Sequence, residues 1–401
     1  MFQFRVHTFT FKPKYLPRFH ISAQRYYSRP FNVRSCTELV SRQDGIGAIK
    51  PGLVPVEWNP GLRNIYLVKK PWNPSVRDAM IEFIHHIHGE YPHLNVIVGE
   101  SVVEELLQEV PAWNQIASKM DISHKYDQTL YTGSLSEIID KTDLIVTLGG
   151  DGTILRAVSS FSNEKVPPLL SFALGNLGFL LPFDFKTYKE TFRAVHDNKT
   201  FALHRKRLQC VVKRKSGHVD EPVDFPGYTK DSNGHPHIMI HAMNDISLHR
   251  GGQPNLTSLD VYLNDEFFTT TTGDGILCSS PTGSTAYSLS AGGSIVHPSV
   301  PCILLTPICP RSLLFRPVII PETYKVMMRL TDGSRNSGIM LNIDGIPQPE
   351  LRHGDEIHIS IEPSQRSGLW CIARSRHDWT KDINELLGFN LLFRHGGVRR
   401  S

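Results

Sequence analysis

The chain has 401 residues, of which 40% are hydrophobic and 20% are charged. This composition is typical of a soluble protein, and the length is sufficient for two domains. The formal net charge of +4 arises from residues 1–37, which hold seven Lys or Arg and no acid. A basic surface for nucleic acid is therefore not predicted. No stretch approaches the roughly 18 apolar residues of a membrane span, so a membrane is not an expected partner either.

The first 35 residues mix basic, aromatic and hydroxyl side chains, a pattern typical of a mitochondrial presequence. Arg25-Tyr-Tyr-Ser28 looks like a site for the matrix protease. We therefore predict a presequence over residues 1–35 and localisation in the mitochondrial matrix, the alternative being a disordered basic arm. Residues 36–62 are rich in Gly, Pro and polar side chains and are predicted to be a linker.

An α/β domain is predicted for residues 63–200. Short apolar runs alternate with apolar residues at helical spacing. In chain order they predict strand 64–68, helix 74–89, strand 94–98, helix 102–110, strand 144–148, helix 154–161, strand 168–174 and helix 188–197. This alternation indicates a doubly wound, mostly parallel sheet, whose binding site lies beyond the carboxyl ends of the strands.

Thr147-Leu-Gly-Gly-Asp-Gly-Thr153 joins the third of these strands to the next helix. Its glycines allow backbone N–H groups to approach a phosphate chain, and the helix start favours an anion. Asp151 stands where phosphate binding alone favours a cation or no charge. It therefore indicates chemistry, either holding Mg²⁺ or accepting a proton from a hydroxyl, the alternative being a helix cap.

Two stronger phosphate motifs are absent from the sequence. It contains no Gly-Lys pair, which excludes a Walker A loop. Neither Gly-Asp-Gly stretch completes G-x-G-x-x-G, so a dinucleotide held in the manner of dehydrogenases is not supported.

Residues 201–378 are predicted to form a β-rich domain, because alternating segments dominate there. The predicted strands are 208–213, 238–248, 256–263, 267–272, 324–330, 339–343 and 356–361. Residues 216–237 are predicted to be a surface insertion, and residues 379–401 a C-terminal helix and tail. Asn244 and Asp245 lie side by side in an apolar strand, which suggests that they face a ligand or a turn. A second group of glycines and hydroxyl residues spans 272–293. Asp344 fits a hairpin turn, with a ligand role as the alternative.

Together these motifs resemble the NAD kinases, which phosphorylate the 2′-hydroxyl of the adenosine ribose. The resemblance covers about residues 60–365. It is carried by Gly149-Gly-Asp-Gly-Thr153, Asn176-Leu-Gly-Phe179, Asn244-Asp245 with His249-Arg-Gly251, Gly273-Asp-Gly275, Ser280-Pro-Thr-Gly-Ser-Thr-Ala-Tyr287, and Pro307-Ile-Cys-Pro310 with Phe315-Arg-Pro317. The leader makes the chain most similar to the fungal mitochondrial members, which favour NADH.

The resemblance implies a role for each matching residue. Asp151 is the implied catalytic aspartate, and the implied triphosphate ligands are Gly149, Gly150, Gly152 and Thr153. The residues implied to bind NAD(H) are Phe179, Asn244, Asp245, Asp274, Thr282, Thr285, Ala286, Tyr287 and Ser290. Asp245 departs from the commoner Asn-Glu pair of the family but keeps the negative charge.

The resemblance also implies the substrates and assembly: NADH or NAD⁺, ATP with Mg²⁺ held mainly through the ATP phosphates, and a homodimer or larger oligomer. Two alternatives remain open at this point. One is a lipid kinase of the diacylglycerol or sphingoid type with the same glycine loop, and the other is a catalytically silent dinucleotide-binding protein.

Overall fold

The structure is a computed structural model. It describes residues 31–42, 53–59, 61–120, 128–161, 164–175, 178, 180–215, 228–230, 236–362, 368–374 and 378–388. In this part of the chain no helix is long and apolar enough to cross a membrane.

The first half of the chain alternates strands and helices, in addition to short 3₁₀ turns at Cys36–Glu38 and Phe185–Thr187. The elements are β1 (Asn32–Ser35), β2 (Leu53–Pro55), β3 (Asn64–Lys69), α1 (Pro74–Glu90), β4 (Asn95–Ile97), α2 (Glu100–Gln108), α3 (Val110–Lys119), β5 (Thr129–Thr132), α4 (Leu135–Lys141), β6 (Leu144–Gly149), α5 (Asp151–Ser159), β7 (Leu169–Ala173), β8 (Phe183–Asp184), α6 (Tyr188–His196) and β9 (Phe201–Arg205).

The second half is mostly strands, with one 3₁₀ turn at Thr282–Thr285. The elements are β10 (Leu208–Lys213), β11 (Tyr228–Lys230), β12 (Pro236–Ala242), β13 (Asp245–His249), β14 (Thr257–Leu263), β15 (Glu266–Gly273), β16 (Gly275–Ser279), α7 (Tyr287–Ser290), β17 (Cys302–Ile308), β18 (Val318–Pro321), β19 (Val326–Leu330), β20 (Gly338–Ile343), β21 (Ile346–Arg352), β22 (Glu356–Ile361), β23 (Leu369–Ala373) and α8 (Asp378–Leu387).

The first domain is built on one large sheet in the order β1-β5-β4-β3-β6-β7-β23-β9-β2, with β8 beside β7. In this order, neighbouring strands from β1 to β23 pair in parallel. Strand β9 then pairs antiparallel with both β23 and β2. Every residue of the central strand β6 is buried. Helix α1 begins at Pro74 after an Asn73 cap and buries Phe83 and Ile84 in the core. The predicted doubly wound α/β domain is confirmed.

The second domain consists of two antiparallel sheets, which confirms the predicted β-rich half. Their orders are β11-β12-β10-β22-β19-β14-β15 and β18-β17-β16-β13-β20-β21. Side chains of both sheets share one apolar core, with Val261 and Met328 from the first and Ile276 and Ile303 from the second. The alternation of buried and half-buried residues along β10 and β14 is that of a sheet with one covered face.

The structure differs from the predicted boundaries at both ends of the α/β domain. Part of the predicted linker, residues 36–62, packs into the domain, because Val56 and Trp58 are buried and the Trp58 indole donates to the Val195 carbonyl at 2.9 Å. Strands β9 and β23, predicted within the β-rich domain, belong to the first sheet.

Residues 1–30 lie outside the described residues, so the presequence stays a prediction. Since β1 pairs with β5, a cut that preserves the sheet has to fall before Asn32.

The chain passes between the domains after β9 and again after β22, and a buried ion pair joins the two crossings. Arg207 donates to both carboxylate oxygens of Glu362, at 2.9 and 2.7 Å. Glu362 also accepts from the Gly368 amide at 2.7 Å. The guanidinium further donates to the carbonyls of Phe161 and Glu164 in the first domain, each at 3.4 Å. The pair therefore connects the two domains as well as the two crossings.

We expect Glu362→Gln to lower the free energy of unfolding by about 3–5 kcal/mol, because it leaves the Arg207 charge buried without its partner. Chemical denaturation of the chain measures this loss. The matched control is Lys186→Gln, which removes one member of an exposed pair with Asp184 and should change the stability by less than about 0.5 kcal/mol. Equal effects of the two variants would contradict the prediction.

Candidate active site

The glycine loop lies where β6 ends and α5 begins, at the carboxyl edge of the parallel sheet. Gly149 has a φ of +150°, and a Cβ there would come within 2.4 Å of Thr153 Oγ1. Gly150 occupies the N-cap position and α5 begins at Asp151 without a side-chain cap. The helix therefore keeps N–H groups that are available to an anion. Asp151 is the first helical residue, so the alternative interpretation of Asp151 as a helix cap is wrong.

The Asp151 carboxylate is largely withdrawn from solvent. A Cβ on Gly178 would lie 2.5 Å from Asp151 Oδ1, so the loop after β7 can cover this carboxylate only with a glycine at that position. Oδ1 is buried and has no hydrogen-bond partner among the described residues. Burial raises the pKa of Asp151, against the opposing effects of the Leu180 amide and the charge of Arg205. A desolvated carboxylate with one unpartnered oxygen is suited to accept a proton from a bound hydroxyl.

Asn244 and Asp245 lie at the break between β12 and β13, which the sequence predicted as one continuous strand. The Ser280 amide donates to the Asn244 carbonyl at 2.9 Å, and a Cβ on Gly283 would lie 2.0 Å from the same oxygen. The second glycine-rich segment therefore packs directly on this break. Asn244 Oδ1 is buried and unpartnered within the described ranges, which leaves an amide oxygen for a ligand to satisfy.

Asp344 holds this break in place, a role that the sequence did not reveal. It lies in the β20–β21 turn with a φ of +50°, as predicted for a hairpin. Its carboxylate accepts the backbone amides of Met243, Asn244 and Asp245 at 2.7, 2.7 and 3.1 Å. Asp followed by Gly signalled the turn, but no sequence signal indicated which amides the carboxylate would bind.

The carboxylates of Asp245 and Asp344 are both buried, and both have raised pKa values. Burial, followed by the charge of Asp344, raises the pKa of Asp245 to about 7. Burial also raises the pKa of Asp344 to about 6, although the three amides and the charge of Arg207 oppose this rise. Burial therefore favours the protonated form of both carboxylates more than water would.

The segment from Ser279 to Ser290 lies between the two domains. The Arg205 guanidinium, from the end of β9, donates to Thr282 Oγ1 at 3.2 Å, and Thr285 Oγ1 donates to the Thr282 carbonyl at 3.2 Å. Ala286 is half-buried, whereas Tyr287 and Ser290 are exposed. Helix α7 begins without a side-chain cap.

Asp274 is engaged within the protein. Its carboxylate pairs with Arg250 Nε at 2.6 Å. Burial raises the pKa of Tyr287, and the charges of Cys309, Asp245 and Asp274 add to this rise. Tyr287 therefore lies within electrostatic reach of both aspartates. The structure thus brings the second-domain residues together, while Phe179 lies outside the described residues and its predicted contact with adenine stays a prediction.

Comparison with protein-family models matches both domains. Residues 65–200 match the ATP-NAD kinase N-terminal domain and residues 243–367 match the ATP-NAD kinase C-terminal domain. The chain is 47% identical to the mitochondrial NADH kinase POS5 of Saccharomyces cerevisiae over 84% of this chain and 83% of that protein. It is 37% identical to the mitochondrial NADH kinase pos5 of Schizosaccharomyces pombe over 87% and 80% of the two chains.

Two solved structures resemble the fold. The crystal structure of yeast NADH kinase complexed with NADH has 45% identity and a TM-score of 0.77, covering 92% of this chain and 99% of that one. The NAD kinase of Archaeoglobus fulgidus in complex with ATP has 16% identity and a TM-score of 0.51, covering 81% and 99% of the two chains, and supports the fold alone. The family models and the relatives together show that the chain belongs to the NAD kinase family.

Proposed function

We propose that this protein transfers the γ-phosphoryl group of ATP to the 2′-hydroxyl of the adenosine ribose of NADH, and of NAD⁺, giving NADPH and NADP⁺. The observation that carries the proposal is the buried, unpartnered Oδ1 of Asp151 at the N-terminus of α5, which has no side-chain cap. Two relatives are named NADH kinases, which supports the reduced dinucleotide as the substrate of this protein. Both are named as mitochondrial, and together with the basic leader this supports the mitochondrial matrix as the location.

The chemistry requires positioning and charge stabilisation and no covalent nucleophile. Asp151 orients the 2′-hydroxyl and accepts its proton as the phosphoryl group transfers. Gly149, Gly150, Gly152 and Thr153 line the triphosphate, whose negative charge the N-terminus of α5 favours. Mg²⁺ would be held mainly through the phosphates of ATP and would supply charge neutralisation there.

The second domain holds the dinucleotide. Asn244 offers an amide to the ribose or adenine, and Asp245 accepts from hydroxyl groups when it is ionised. The set that completes the pocket is Asp274, Thr282, Thr285, Ala286, Tyr287 and Ser290, together with Phe179. This set is polar and small, which disfavours the lipid-kinase alternative. The silent-binder alternative is disfavoured by Asp151, and we further propose that the protein works as a homodimer or larger oligomer.

We expect the protein, supplied with ATP and Mg²⁺, to form NADPH from NADH faster than NADP⁺ from NAD⁺. Product formation from each dinucleotide, measured at equal concentrations, checks this. Faster NADP⁺ formation would retain the kinase and reverse the substrate preference. Tight NADH binding without any product would favour the silent binding protein.

Asp151→Asn should lower kcat by roughly 10²- to 10⁴-fold, the usual effect of losing a general base. Asn has the same shape and needs no ionisation in the buried site, so the melting temperature should stay the same or rise. Steady-state kinetics together with thermal denaturation measure both effects. Near-normal turnover in this variant would remove Asp151 from the mechanism.

Asp344→Asn should raise the KM for NADH about 10-fold, because the new amide would point a donor at one of the three backbone N–H groups. The matched control is Asp265→Asn, since Asp265 also lies in a hairpin turn at positive φ but is exposed. The control should leave KM unchanged. Equal KM values in both variants would show that Asp344 does not position the Asn244 segment.

A further inference from the structure

The end of strand β3 lies directly beside the glycine loop. Strand β3 pairs in parallel with β6, with Lys69 opposite Leu148. The amide of the next residue, Lys70, donates to the Leu148 carbonyl at 2.9 Å. A Cβ on Gly149 would lie 3.0 Å from Lys70 Cβ and would also meet Thr153 Oγ1. The side chain of Lys70 therefore starts against the first glycine of the loop, with Thr153 on the other side of that glycine.

The backbone of Lys70 is held on both sides. On one side is the pairing of β3 with β6. On the other side Pro71 follows, and the residue before a proline is restricted to extended backbone. Asn73 then caps helix α1, where its Oδ1 accepts the backbone amides of Ser75 and Val76 at 3.1 and 3.3 Å. The position of Lys70 beside the loop is thus fixed by the fold before any ligand binds.

Lys70 differs from the lysine that precedes it. The Lys69 side chain is only 2% exposed, and its Nζ pairs with Glu105 Oε2 at 2.7 Å. Lys70 is exposed, and within the described ranges its ammonium forms no ion pair. Lys69 therefore has a structural partner on α2, while the charge of Lys70 is available to a ligand.

The glycine loop needs a cation that its own sequence does not supply. The chain contains no Gly-Lys pair, and the charged residue within the loop is Asp151. The N-terminus of α5 is equivalent to about half a positive charge, much less than the negative charge of a triphosphate. A lysine is a common phosphate ligand, because its flexible stem carries the ammonium to oxygens bound by a neighbouring element.

We infer that Lys70 binds the phosphate donor: its ammonium contacts the phosphates of ATP that lie along Gly149–Thr153. The cation that is absent from the loop comes from the next strand of the sheet. This inference rests on the proposed kinase function and deepens it, since it names a charged side chain that recognises ATP. Asn244 and Asp245 act on the dinucleotide, so a change at Lys70 affects ATP and leaves NADH binding intact.

A series of substitutions separates the charge of Lys70 from its size. Lys70→Arg keeps the charge, Lys70→Gln removes it at similar length, and Lys70→Glu reverses it. The matched control is Lys325→Gln, since Lys325 is an exposed lysine of the second domain. For each full-length variant we would measure the Kd for ATP with Mg²⁺ by calorimetry without dinucleotide, together with kcat, the KM values for ATP and NADH, and the melting temperature.

We expect Lys70→Gln to raise the Kd and the KM for ATP about 10- to 100-fold, the usual effect of losing a hydrogen bond to a charged group. Lys70→Glu should weaken ATP binding further, and Lys70→Arg should retain most of the affinity. The KM for NADH and the melting temperature should stay near their wild-type values, because Lys70 is exposed and has no protein partner for its charge. Lys325→Gln should match the wild type in every measurement.

A wild-type Kd for ATP in Lys70→Gln would overturn the inference. So would ATP affinities that do not follow the order of charge from Arg through Gln to Glu. Equal rises in the KM values for ATP and NADH, with a lower melting temperature, would assign Lys70 a structural role and also overturn it. A wild-type protein that binds ATP but forms neither NADPH nor NADP⁺ would instead overturn the proposed function. The two failures are therefore distinguishable.

Discussion

The site depends on two crossings of the chain between its domains, after β9 and after β22, and on the buried pair of Arg207 and Glu362 that joins them. Asp151 belongs to the first domain and Asn244 to the second, so their separation is set by how the domains are held together. A planar guanidinium with two carboxylate bonds and two carbonyl bonds fixes orientation as well as distance. Arg205 lies two residues earlier on the same crossing. The connection between the domains and the polar contacts of the site are therefore made by neighbouring residues.

Desolvation gives the site its chemical character. Asp151, Asp245 and Asp344 all have raised pKa values, and burial is the first cause in each. The compensating groups differ. Asp344 receives three backbone amides, which suits a structural role. Asp151 retains an unpartnered oxygen, which suits the proton acceptor of the proposed mechanism. The same physical cost thus accompanies a fixed anchor at one position and a proposed proton acceptor at another.

The sequence predicted elements well where burial produces a clear period. Strand β10 and strand β22 were predicted with their observed bounds, and α1 to within one residue. Prediction from the sequence failed where distant parts of the chain determine the surroundings of a segment. The three-residue strand β2 is too short to show a period, and β23 resembles the second-domain strands although it pairs with β7 and β9. The break at Asn244 was missed because apolar residues flank it on both sides.

For the site residues too, the local motif is visible in the sequence but the surroundings of the carboxylate are not. Two Gly-Asp-Gly stretches look alike in sequence, yet their carboxylates have different surroundings. Gly149 adopts a φ that favours glycine and leads into a helix whose N-terminus is open. Gly275 begins β16, which pairs with β13 and β17, and a Cβ there would come within 2.0 Å of the Leu248 carbonyl. The adjacent Asp274 forms an ion pair with Arg250. A glycine thus marks a close approach of the backbone, but the approaching partner is set by the fold. Because the groups that act on Asp151 and Asp274 lie far away in sequence, the different surroundings of the two carboxylates follow from tertiary structure and not from the motif itself.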